Sequence, residues 1–89
     1  MRGIITVVGK DMVGILAKVS GICSEYNVNV IEVSQSILQD MFCMIMLVEF
    51  SQDDKKMDVL TQELSELGSD MGLSIHMQRE ELFDSMHRI

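Results

Sequence analysis

The sequence predicts an α+β fold: one four-stranded antiparallel sheet with two helices on a single face. Three observations carry this. Short β-branched or alternating apolar runs occur at four places, two longer stretches repeat apolar residues at helical spacing, and the two kinds follow one another as βαββαβ.

The first strand is Ile4-Ile5-Thr6-Val7-Val8, a brief β-branched run. Gly9-Lys10-Asp11 is expected to break it. Ile15, Leu16, Val19, Ile22, Cys23 and Tyr26 then share one face of a helix, with Asp11 as its predicted N-cap and Asn27 as a left-handed stop. Val28, Val30, Val33 and Ile37 make the second strand. Its alternation changes phase between Val30 and Val33, so a bulge is expected near Ile31–Glu32.

Gln39-Asp40 should turn the chain into a third strand, residues 41–50, apolar on both faces. Ser51 to Asp54 read as a helix start with acidic side chains near the positive end of the dipole. Met57, Leu60, Leu64, Leu67 and Met71 recur at 3-4-3-4 spacing, and Gly72 ends this second helix. Leu73, Ile75 and Met77 alternate with Ser74, His76 and Gln78 as the fourth strand. Residues 80–89 read as a short terminal helix carrying Leu82, Phe83 and Met86.

This order is that of the ferredoxin-like layer, with right-handed crossovers. One domain is expected over residues 1–89, its core at 3–79 and a helical tail at 80–89. Helices cover only one sheet face, yet the first and third strands are apolar on both. A large exposed apolar face is rare in a monomer, so self-association is expected, as a homodimer or a higher homo-oligomer.

Composition narrows the function. Eighty-nine residues bury only about 60–65% of their unfolded surface, so a deep internal active site is not expected. Seven basic and fourteen acidic residues give a net charge of −7. Residues 1–50 carry −2 of this and residues 51–89 carry −5. Such a field repels a polyanion, so no nucleic-acid partner is expected. No apolar run reaches the roughly 18 residues of a membrane span, so no membrane partner is expected either. Two cysteines make no disulfide framework, which points to a reducing cytoplasm.

Other chemistries lack their residues. The first loop, Gly9 to Gly14, holds no cysteine pair for a metal and only Lys10 as a cation. His76 and His87 have no Cys or carboxylate at ligand spacing, and the third strand offers no stacked aromatics for RNA. Cys23 and Cys43 read as core thiols, and Met41, Met44 and Met46 as packing residues. No nucleophile or acid–base pair with an activating neighbour stands out, so no catalytic residue, cofactor or metal ligand is expected.

The segment Val8-Gly9-Lys10-Asp11-Met12-Val13-Gly14-Ile15-Leu16-Ala17 stands apart. It joins the first strand to the first helix. Gly9 permits an unusual backbone angle, and Gly14 lacks a side chain where the helix begins. Free amides there attract a carboxylate. The same residues also suit an ordinary tight turn with close helix–sheet packing.

The loop Gly9-Lys10-Asp11-Met12-Val13-Gly14-Ile15, the stretch Asn27-Val28-Asn29-Val30 and Val33-Ser34-Gln35 resemble the ACT domain, over roughly residues 3–79. The likeness is greatest to small free-standing ACT proteins and to the ACT modules of glycine-cleavage regulators and formyltetrahydrofolate deformylases. The resemblance implies a regulatory, non-catalytic module that pairs and binds an amino acid or similar small ligand between subunits. By position, the ligand would meet Gly9, Lys10, Asp11, Met12, Val13, Gly14 and Ile15 of one chain and Asn29, Val30 and Ile31 of its partner. Asp11 would orient the α-ammonium, loop amides would hold the carboxylate, and Val13 or Ile15 would border the side chain.

Two departures accompany the likeness. Many relatives place proline immediately before the loop glycine, where it pre-sets the helix direction, and this chain has Val13. No attached catalytic or DNA-binding domain is expected, so the signal is expected to pass through a partner protein or through assembly. The alternative is a protein–protein interaction module without a small-molecule ligand, using its open sheet face or an edge strand.

Overall fold

The computed structural model describes residues 1–10, 13–50 and 54–81, with backbone alone at 54 and 55. The elements are β1 (Arg2–Lys10), α1 (Ile15–Glu25), β2 (Asn29–Leu38), β3 (Met41–Glu49), α2 (Asp54–Met71) and β4 (Ser74–Arg79). The four strands form one antiparallel sheet in the order β2-β3-β1-β4. This is the ferredoxin-like arrangement that the element order implies.

Alternation sorts the sheet into two faces. Ile5 and Val7 of β1, Phe42, Met44, Met46 and Val48 of β3, and Ile75 of β4 are buried in one core cluster. Ile15, Val19 and Cys23 of α1 and Leu60 and Leu64 of α2 close it from the same side. The other face carries Ile4, Thr6 and Val8, then Cys43, Ile45 and Leu47, then Ser74 and His76. Cys43 is half-buried there and is not a core thiol; Cys23 is buried in the core.

Both helices end through the same device. Asn27 adopts φ 56, and the amides of Asn27 and Val28 donate to the carbonyls of Ser24 and Cys23 at 3.1 and 2.8 Å. That is a Schellman closure, and it satisfies carbonyls the helix itself leaves open. Gly72 at φ 70 does the same for α2, with Leu73 N–H donating to the Gly68 carbonyl at 2.8 Å. The β2 register slips between Val30 and Glu32, leaving Ile31 as the extra residue at the expected bulge.

Three expectations need correction. The chain does not break at Gly9: β1 runs on through Lys10, with Gly9 and Lys10 paired to Phe42 and Met41, and the missing side chain at Gly9 leaves room for Leu73, which a Cβ there would strike. Gly9 therefore serves close packing and not an unusual angle. The N-cap of α1 is Gly14 in the left-handed region, φ 88, and not Asp11, which lies three residues too early for the first helical residue, Ile15. Asp11 and Met12 lie outside the described residues, as do Ser51 to Asp53 and residues 82–89 of the predicted tail. Glu80 and Glu81 do have helical backbone.

Candidate functional site

The first loop begins where β1 ends. Lys10 is an exposed residue opposite Met41 of β3, and Gly14 caps α1 with no side chain and nothing within 4 Å of the position a Cβ would take. The first intrahelical bond runs from the Lys18 amide to the Gly14 carbonyl at 3.0 Å. The amides of Ile15, Leu16 and Ala17 precede it, so no intrahelical acceptor exists for them. No acidic residue occupies that first turn. A helix N-terminus whose first turn carries no carboxylate among the described residues favours an anion.

The predicted side-chain borders separate. Ile15 is 2% exposed and belongs to the core, whereas Val13 is fully exposed at the loop surface. Val13 alone of the pair is free to touch anything outside the chain.

The structure does not bring the two halves of the predicted site together. Asn29 pairs with Glu49, which pairs with Arg2, so Asn29, Val30 and Ile31 sit at the start of β1. The loop sits at its other end, beyond Lys10. Nine residues of β1 separate them, roughly 26 Å at strand spacing. Asn29 and Val30 instead line a groove of about 460 Å³ with Ser20, Ser24, Asn27 and Val28.

Other residues gather beside the loop. Lys10 shares a hollow of about 320 Å³ with Ile37 of β2 and with Gln39 and Asp40 of the β2–β3 turn. Gln39 holds φ 58, a left-handed angle that favours glycine or asparagine. Sequence reasoning treated Gln39-Asp40 only as a turn. The antiparallel pairing of β1 with β3 was the signal that brings them to Lys10.

Elsewhere, the open sheet face has a depression of about 470 Å³ floored by Ile4, Ile45 and Leu47 and edged by Glu32, Ser34 and Glu80. Arg2 bridges Glu49 at 3.5 Å and Glu80 at 3.8 Å at its margin. His76 is exposed and bonded to the Ser74 hydroxyl at 2.9 Å. Among the described residues, no three of His, Cys, Asp and Glu gather as metal ligands, and no helix is long and apolar enough to cross a membrane.

Comparison with known proteins gives a consistent picture. Residues 3–78 match the family profile of the ACT domain. The sequence is 45% identical to a UPF0237 protein of Listeria monocytogenes over 89 residues, all of both chains. An ACT domain protein from Streptococcus pneumoniae superposes with TM-score 0.82 at 34% identity, over 94% of each chain. A protein described as a glycine cleavage system transcriptional repressor superposes with TM-score 0.77 at 26% identity, over 88% of this chain and 44% of its own. A formyltetrahydrofolate deformylase from Burkholderia mallei, 15% identical, shares the fold over 88% of this chain and 28% of its own, with TM-score 0.77.

Proposed function

This chain belongs to the ACT domain family, whose members are in general regulatory and ligand-binding, and on that premise we propose that it is a non-catalytic regulator that binds an amino acid between two copies of itself. The observation that carries this reading is the separation just described. One chain holds the two halves of the expected site at opposite ends of its sheet, and β2 lies on the sheet's outer edge.

A second copy narrows the separation. Antiparallel pairing of two β2 strands about a two-fold axis near their middle lays the partner's start of β2 beside Leu38–Asp40. From there the loop after Lys10 is three strand spacings away, about 14 Å, against the roughly 26 Å within one chain. The exposed side chains of Ile31, Ile37 and Leu38 on β2 favour such pairing. The site would then comprise Gly9 to Gly14 of one chain with Asn29, Val30 and Ile31 of the other, Ile15 being held in the core.

The ligand acts by binding one assembly state better than another, and a partner protein reads that state. Both cysteines are free, which fits a reducing cytoplasm.

Thermal-shift screening against the twenty L-amino acids at 10 mM tests the reading. A ligand at 100 times its Kd adds about 2.7 kcal/mol of stability, so at least one should raise the melting temperature by several degrees. A flat screen would sink it. The second reading, a protein-docking module without a small ligand, would then stand on the depression of the open sheet face, with its apolar floor and polar rim.

A further inference from the structure

We propose that the β2–β3 turn supplies half of the amino-acid site, with the Asp40 carboxylate holding the ligand's α-ammonium and Lys10 its α-carboxylate. The inference rests on the reading above and names groups it leaves open.

The hollow beside Lys10 has the chemistry of a zwitterion. Its lining carries one cation, one anion, one amide side chain and one apolar side chain. Lys10 ends β1 and Asp40 stands in the turn just before β3, and they are brought side by side because Lys10 pairs with Met41, the residue after Asp40. Yet among the described residues no ion pair joins them or engages either one. Two opposite charges held apart across a cleft suit a molecule that carries both charges a few ångströms apart. The volume, about 320 Å³, lies at the small end of ligand clefts, which run from about 300 to 1,000 Å³.

The rest of the lining fits the same ligand. Gln39 offers both a carbonyl and an amide to either charged end. Ile37 is 59% exposed and gives the ligand's side chain an apolar wall. In a single chain this hollow is open to water, where a pair of exposed charges holds a ligand weakly. The β2 pairing places a second copy against the same end of β2, and excluding water there strengthens both contacts. Ligand binding and pairing are thereby coupled through one end of the sheet. Asp40 takes the role that family resemblance suggests for Asp11.

The test uses calorimetry on the full chain, with the L-amino acid that gives the largest thermal shift as probe and its 2-hydroxy acid analogue as control. Asp40→Asn and Lys10→Met should each weaken amino-acid binding at least fivefold. Asp40→Glu should recover most of the loss. The hydroxy acid, lacking the ammonium, should lose affinity on Lys10→Met but not on Asp40→Asn. A smaller loss in either variant, or a fivefold loss on Asp11→Asn in its place, overturns the assignment while leaving the amino-acid reading intact. A wild-type protein that binds none of the twenty overturns both. Lys10 and Asp40 are exposed, so variants that melt within a few degrees of wild type report on binding alone.

Discussion

The Tyr26 hydroxyl, at the end of α1, donates to Glu63 Oε1 of α2 at 3.1 Å. That bond exists only while the phenol is protonated. The Glu63 carboxylate therefore holds the Tyr26 pKa above its ordinary value, helped by burial and by the charges of Glu25 and Glu66. A raised folded-state value means that the contribution is complete below about pH 10 and disappears as pH rises through the folded value. Urea midpoints followed with pH should fall above pH 10, and Tyr26→Phe should flatten part of that fall. Burial likewise pushes the Cys23 thiol up, which adds a separate loss under alkaline conditions. At this scale the sequence was a partial guide. Asn27 declared its left-handed angle through its residue type, whereas Gly9 did not declare its purpose: a glycine needed for a bend and one needed for close approach read alike until Leu73 is in place.

Among the elements, α2 packs tightly at Gly68 against the entry of β4. A Cβ there would stand 2.7 Å from the Leu73 carbonyl oxygen, a backbone atom that cannot turn aside. Gly21 in α1 has open space around it. Alanine should therefore act with opposite signs at the two sites. Gly68→Ala should lose about 1–2 kcal/mol, overpacking outweighing helix propensity. Gly21→Ala should gain about 0.5–1 kcal/mol, and urea unfolding of the two variants reads both. Element type and order were legible because period and punctuation agree: Leu60 and Leu64 face the core at helical spacing, and the phase change between Val30 and Val33 announced the bulge. The start of α1 was not, since Asp11 has the right side chain for a cap while the chain enters the helix through a left-handed angle that glycine tolerates at residue 14.

For the whole molecule, the open sheet face and the β2 edge carry no helix among the described residues. Light scattering at tens of micromolar should report a mass of two chains or more. Ile37→Lys combined with Leu38→Lys should reduce it to one, because both side chains lie on the edge strand, 59% and 76% exposed. A wild-type monomer at that concentration contradicts the paired site. The sequence disclosed the loop half of the candidate site through Gly14 and the helix that follows. It could not disclose the turn half, because Lys10 and Asp40 are thirty residues apart and meet only through the β1–β3 register.

The extra residue at Ile31 bears on a different matter. A ten-residue edge strand with apolar side chains is a template on which further chains can add without limit. The bulge bends β2 at its start and interrupts the ladder there, so a straight row of donors and acceptors runs only over its later part. The opposite edge, β4, is six residues long and poorly matched to it. Head-to-tail addition of β2 to β4, the geometry that propagates a fibre, is thus disfavoured, while symmetric β2 contact closes on itself and stops. Under the proposed β2 pairing, one inserted residue would favour a finite assembly over a filament.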